Sequence, residues 1–277
     1  MEHFDFLNTV PNFRITPDSN FILIAGPCVV ETRDVLFETA SHLKSIADRL
    51  NIPFIFKSSY RKANRTKSGS FTGIGDVKAL ELLGELKESL GVPILTDVHE
   101  SSEVDLASRY ADILQIPAFL CRQTELIQSA ARTGKPINLK KGQFLSPQNM
   151  QFGIEKIEET GNKKVILTER GTTFGYGDLV VDFRGIPIMK EFGYPVILDI
   201  THSLQQPNQS GGVSGRLPHL IETLAKAGVA SGIDGIFMET HPDPSKALSD
   251  GSNMLALDKA GELLESLVKL YQTVKTL

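Results

Sequence analysis

The run Leu50-Asn51-Ile52-Pro53-Phe54-Ile55-Phe56-Lys57 decides how this chain is read. An asparagine follows an amphipathic stretch, a proline stands two residues later, and three apolar residues lead into a lysine. Asn can take the left-handed position that closes a helix, and Pro holds the residue before it out of the helical region. The same punctuation returns at Gly91-Val92-Pro93, Gly134-Lys135-Pro136 and Gly193-Tyr194-Pro195, each time ahead of a short apolar run. Four copies of one helix-stop, strand-start signal argue for a β-α unit repeated along the chain.

Working outward, apolar runs lie at 21–25, 54–56, 93–95, 113–116, 137–139, 165–167, 196–198 and 233–238. They are bounded by breakers and apolar at consecutive positions, as strands buried on both faces are. Amphipathic stretches at 33–50, 76–90, 101–109, 122–133, 146–160, 179–192, 216–230 and 255–274 alternate with them. Eight strands and eight helices predict a closed (β/α)8 TIM barrel rather than an open doubly wound sheet, which has fewer strands. The first twenty residues precede this pattern. A hairpin of 13–15 against 21–23 is expected there, capping the barrel bottom.

The length of 277 residues suits one such barrel, and no linker or shift of composition divides it, so 1–277 reads as one catalytic domain. With 29 Lys and Arg against 33 Asp and Glu, the net charge of −4 disfavours a nucleic-acid binder. Two cysteines cannot make a disulfide framework. The first residues lack the basic and apolar blocks of a signal peptide, and FILIAGPCVV (21–30) is about half a membrane span. A cytoplasmic protein without membrane partners is expected.

In barrels of this kind chemistry gathers at the carboxyl ends of the strands, where the βα loops converge. Those ends carry Lys57, Asp97, His99, Gln115, Asn138, Lys140, Lys141, Glu169, Arg170, Asp199, His202, Glu239 and His241. One sector is cationic: Lys57, Lys62, Arg65, Arg122, Lys140 and Arg170. Buried cations are costly without partners, so several at one mouth imply an anionic ligand, most simply a phosphate. The competing reading pairs each with a local carboxylate such as Glu169 or Asp97.

The other sector is a candidate metal site. Cys28, His202, Glu239 and Asp250 follow strands one, seven and eight, which closure makes neighbours. A thiolate, an imidazole and two carboxylates suit a divalent transition ion such as iron, zinc or manganese. The bland alternative makes Cys28 a small buried apolar residue. His99 and His241 remain open as ligands, and Cys121 reads as packing. Gly73-Ile74-Gly75 lacks the third glycine of a dinucleotide fingerprint. The Gly-Ser-rich stretch 209–215 is either a lid over the mouth or an ordinary loop.

The runs FKSSYRKANR (56–65), LTDVHE (95–100), LQIPAFLCRQT (114–124), INLKKGQFLSP (137–147), ERGTTFGY (169–176), DITHSLQQP (199–207) and METHPDP (238–244) carry a resemblance. In order and spacing the chain resembles the 3-deoxy-D-manno-octulosonate 8-phosphate synthases. That resemblance implies a (β/α)8 barrel, usually a homotetramer, which condenses phosphoenolpyruvate with D-arabinose 5-phosphate on the route to lipopolysaccharide. It implies that Lys57, Lys62, Lys140 and Arg170 bind phosphoenolpyruvate, with Gln115 nearby. It also implies that Asn64 and Arg65 hold the pentose phosphate end, and that Arg122 serves a neighbouring subunit's site. Cys28 after Gly26-Pro27 and the run SDGSNML (249–255) are similar to the metal-dependent branch, with His202, Glu239 and Asp250 completing the ligands. Asp97, His99 and His202 are expected to position substrate or move protons, and Asp250 to act beside the metal.

Three rivals are weighed against this reading. The related seven-carbon sugar acid synthases use erythrose 4-phosphate but carry Lys-Pro-Arg-Thr where this chain has Lys62-Ala63-Asn64-Arg65-Thr66. A non-catalytic sugar-phosphate-binding barrel would need the cations but not the four-residue metal set. A metal hydrolase barrel would show His-x-His after strand one, where Gly26-Pro27-Cys28 stands.

Overall fold

The computed structural model describes residues 2–64, 69–207 and 215–277. Strands β1 (Ile22–Gly26), β2 (Phe54–Lys57), β3 (Ile94–Asp97), β4 (Ile113–Ile116), β5 (Ile137–Lys140), β6 (Val165–Glu169), β7 (Val196–Asp199) and β8 (Gly235–His241) are all parallel and pair in chain order. The barrel closes because β8 pairs with β7 on one edge and with β1 on the other, in register from Ile22–Gly235 to Gly26–Glu239. Helices α1 (Arg33–Arg49), α2 (Asp76–Leu90), α3 (Val104–Tyr110), α4 (Thr124–Arg132), α5 (Met150–Glu158), α6 (Gly185–Lys190), α7 (Ile221–Ala230) and α8 (Ala260–Val274) lie between and after them. This is the (β/α)8 barrel that the sequence predicts.

The punctuation marks act as read. Asn51, Gly91, Gly134 and Gly193 all take positive φ, at 49°, 61°, 72° and 80°. Gly161 and Gly232 turn the chain the same way ahead of β6 and β8, without a proline to announce it.

Two apolar layers form. One lies between strands and helices, and the other fills the barrel with Ile24, Ile55, Leu95, Ile113, Ile166, Ile197 and Phe237. The N-terminal segment plugs the bottom as expected, with Leu7, Val10 and Phe13 packed under the inner layer. It does so as a 3₁₀-helix, Glu2–Thr9, and the expected hairpin does not form. Both edges of β1 are taken by β2 and β8, so no edge remains for residues 13–15 to pair with.

The sixth helix is also shorter than predicted. Thr172–Phe174 pairs antiparallel with Asp178–Val180, and α6 begins only at Gly185. Pro187 explains this: proline lacks an N–H and clashes with the preceding turn, so it is tolerated only near a helix start. Pro218 delays α7 to Ile221 for the same reason. The last helix starts at Ala260 because Leu255–Ala256 pairs beside the end of β8. Residues 209–214 of the lid-or-loop stretch 209–215 lie outside the described residues. Among the described residues no helix is long and apolar enough to cross a membrane.

Candidate active site

Side chains alternate along a strand, so residues two apart share a face. Two positions beyond the inner apolar layer, six of the strands therefore turn a second residue into the barrel. Those residues are Lys57 above Ile55, Asp97 above Leu95, Gln115 above Ile113, Thr168 above Ile166, Asp199 above Ile197 and Glu239 above Phe237. Asn138 and Lys140 share that face of β5. Every one is buried. An apolar floor with a charged layer on top is thus written into the strand period.

The charges on this layer pair across the barrel. Lys57 Nζ lies 3.2 Å from Glu239 Oε1, and Lys140 Nζ lies 2.6 Å from Asp199 Oδ2. Lys62 reaches within 3.9 Å of Glu239. Phe237 is the floor, with Lys140 Nζ 3.9 Å and Lys57 Nζ 5.5 Å from its ring centroid, so its π face adds cation stabilisation. Burial opposes ionisation of Glu239, but His202, Lys57 and Lys62 hold its carboxyl down at about 2. Burial likewise opposes the Asp199 and Asp97 charges. His202 and Lys140 outweigh it at Asp199, as Lys57 and His99 do at Asp97, and both stay well below the usual carboxylate range. Burial pushes the Lys140 ammonium and the Arg170 guanidinium down, because the neighbouring carboxylates do not fully offset it.

Above this layer opens a cavity of about 350 Å³ whose walls include Lys62, Asn64, Asp97, His99, Gln115, Phe119, Lys140, Arg170, His202, Gln205 and Asp250. Arg170 gives one nitrogen to Gln205 Oε1 at 2.8 Å, while its Nη1 is buried without a partner. A buried guanidinium nitrogen in that state calls for an acceptor, and an anion entering the cavity supplies one. Gln115 Oε1 and Asp97 Oδ1 are likewise buried and unsatisfied. His99 is clamped, with Nε2 3.0 Å from Asp97 Oδ2 and its backbone N–H donating to Glu103 Oε2 at 3.0 Å, while Nδ1 is buried without a hydrogen bond among the described residues. Tyr60 donates to the same Glu103, and Arg61 pairs with it.

Closure of β8 on β1 forms the second cluster. Ligand atoms of Cys28, Glu239 and Asp250 all lie within 4.8 Å of one another. Cys28 Sγ is 3.6 Å from Asp250 Oδ2 and 2.9 Å from Ser249 Oγ. His202 stands beside them, its Nδ1 held by Asp199 Oδ2 at 2.7 Å and its Nε2 3.5 Å from Glu239 Oε2. A carboxylate on one imidazole nitrogen leaves the other to serve as a ligand. Burial, then Glu239, pushes the Cys28 thiol up to about 12, and a divalent cation would reverse that by binding the thiolate. This donor set fits a borderline transition ion. The close approach of β1 and β2 depends on Gly26, since a Cβ there would fall 2.1 Å from Lys57 O.

One predicted residue is not brought into this mouth. Arg122 is exposed and borders a separate cavity of about 230 Å³ between the loop after β4 and α5, so its chemistry does not reach its own chain's site. Arg65 lies outside the described residues. Cys121 packs in the outer layer, as read. The carboxylate-pair reading of the cations is realised in part, by Lys57 with Glu239 and Lys140 with Asp199, and outside that set Lys141 is buried 3.4 Å from Glu169. Sequence reasoning gave no role to Asp199, Glu103, Gln205, Phe119 and Ser249. Asp199 was within reach, because strand parity from Ile197 points it inward.

Fold and site together define a (β/α)8 barrel with a cation-rich mouth beside a thiol-carboxylate cluster. The chain belongs to the DAHP synthetase I family, whose sequence pattern it matches over residues 7–276. It is similar to proteins named 2-dehydro-3-deoxyphosphooctonate aldolase. That of Brucella canis is 50% identical over 268 residues, 97% of each chain. That of Methylococcus capsulatus is 51% identical over 263 residues, 95% of this chain and 93% of the relative. That of Legionella pneumophila (strain Paris) is 52% identical over 255 residues, 92% of this chain and 93% of the relative.

Proposed function

We propose that this chain is the enzyme that joins phosphoenolpyruvate, D-arabinose 5-phosphate and water into 3-deoxy-D-manno-octulosonate 8-phosphate and inorganic phosphate. The observation that carries this reading is the buried, partly unsatisfied cation layer opening on the mouth cavity, in a chain about half identical to named aldolases along nearly its whole length. Two phosphates and a carboxylate bring ~4–5 negative charges together. Lys57, Lys62, Lys140 and Arg170 offset the charge of phosphoenolpyruvate, and Gln115 presents its amide beside them. Asn64 and Arg65 hold the pentose phosphate, while the clamped Asp97–His99 pair orients the sugar.

In the reaction carbon 3 of phosphoenolpyruvate bonds to the aldehyde carbon, whose oxygen gains a proton. Water adds its oxygen at carbon 2 and loses a proton, and the carbon 2 to phosphate-oxygen bond then breaks as the new hydroxyl passes its proton to the leaving phosphate and becomes the carbon 2 ketone. Cys28, His202, Glu239 and Asp250 would hold a divalent transition ion such as iron, zinc or manganese, which would supply Lewis-acid chemistry to the aldehyde or the water. Asp199 keeps the His202 ring oriented for that role. The exposed Arg122 serves a neighbouring subunit's site in a cytoplasmic homotetramer.

The test is phosphate release from phosphoenolpyruvate with each aldose phosphate, before and after chelation and metal return. Turnover with D-arabinose 5-phosphate, lost on chelation and restored by metal, is the expected result. Turnover with erythrose 4-phosphate alone would instead select the seven-carbon synthase. Binding without phosphate release would mark a sensor barrel, and full activity in chelated protein would remove the metal while leaving the reaction.

A further inference from the structure

Glu31 follows Cys28 by three residues and takes no part in the scheme above. Its side chain is 5% exposed and lies against the loop after β8. Oε1 accepts from the Leu248 N–H at 2.8 Å, and Oε2 lies 3.5 Å from His241 Nε2. His241 Nδ1 accepts from the Asp243 N–H at 3.0 Å, while its Nε2 is buried beside Glu31 without completing a hydrogen bond among the described residues. Through Leu248 the carboxylate ties the loop after β8 to the segment after β1.

That loop delivers Asp250. Ser245, Lys246 and Leu248 are exposed, so apolar packing does little to place it. Its path is nevertheless tight. Asp250 takes φ of 46°, a left-handed conformation unusual for a residue with a side chain. A Cβ at Gly251 would fall 2.1 Å from Pro244 O, so the turn folds back onto its own start. Such a conformation persists only where the surroundings hold it. Here they include the tie from Leu248 to Glu31, two residues before Asp250, and the contact of Ser249 with Cys28.

We propose that Glu31, bonded to Leu248 and packed beside His241, is a positioning residue that sets Asp250 against Cys28 and Glu239 and so preorganises the cluster for a divalent transition ion. The inference rests on the metal reading above. The test titrates metal-free protein with Co(II), following the thiolate-to-cobalt charge-transfer absorption, with circular dichroism to check folding. Glu31→Met keeps the side-chain volume but cannot accept from Leu248, and its Co(II) affinity is expected to fall about 10–100-fold. Glu31→Gln still offers an oxygen to Leu248 and is expected to bind more tightly than Glu31→Met. His241→Phe removes the imidazole beside Glu31 and its bond to the Asp243 N–H, gives a second reading should Glu31→Met not fold, and is also expected to weaken Co(II). Wild-type affinity in folded Glu31→Met or His241→Phe, or Glu31→Gln no better than Glu31→Met, overturns the proposal. Absence of the thiolate band in the unmutated protein is a different failure, one of the metal reading itself.

Discussion

Lys140→Met removes an ammonium that sits 2.6 Å from Asp199 and 3.9 Å from the centroid of the Phe237 ring. Asp199 is fully buried, and stripping one partner from a buried ion pair costs about 3–5 kcal/mol. The carboxylate keeps other hydrogen bonds, from His202 Nδ1 at 2.7 Å and from the N–H groups of Thr201 and His202 at 3.0 and 2.8 Å. The substitution also relieves the repulsion between Lys140 and Lys57. Both effects place the loss at the lower end, about 3 kcal/mol. With a urea slope of about 3 kcal/mol per molar, the unfolding midpoint should fall by about 1 M. Lys140→Met/Asp199→Asn strands no charge and should recover part of the loss, with a coupling of about 0.5–3 kcal/mol. Phosphate release should stay abolished in both variants, because the substrate cation is gone. The assay is urea unfolding of chelated protein by circular dichroism, alongside turnover. An unchanged midpoint in Lys140→Met, or a double variant whose loss equals the sum of the singles, would refute the reasoning.

Cys28→Ala should lose bound metal and phosphate release together; unchanged metal content would show that Cys28 is not a ligand. Leu7→Ala, in the fully buried plug, should cost about 2–5 kcal/mol of stability by urea unfolding while turnover of the folded protein survives. A neutral result there would mean the N-terminal segment is not part of the core. Gly26→Ala forces a Cβ against Lys57 O, so a lowered melting temperature and reduced turnover are expected, and a wild-type melting profile would argue against the close approach.

Much of the site was legible because β-strand parity is rigid. Once Ile55, Leu95 and Ile197 are placed inside, Lys57, Asp97 and Asp199 must follow. The parity is hard to see in the sequence alone, since the strands are apolar on both faces at their lower ends and show no alternation. Helix boundaries were less legible. The hairpin of 172–180 sits in a stretch whose apolar residues, Leu179 to Phe183, pass equally for a helix face, and only Pro187 warned that the helix starts late.

The sequence by itself determined the repeated unit and where each unit turns. A residue entering left-handed φ before a proline is a local steric event that needs no tertiary partner. It also placed cations, carboxylates and a thiol at strand ends, and its motifs carried the family. Tertiary structure alone decided which of these meet. Cys28 and Glu239 are 211 positions apart, and they touch only because β8 closes on β1. The pairing of Lys57 with Glu239 rather than Asp97, and the exclusion of Arg122 from its own mouth, follow from that closure. Direct ion pairing and metal ligation act over a few ångströms in space, whatever the separation along the chain, so they become readable only once the barrel is shut.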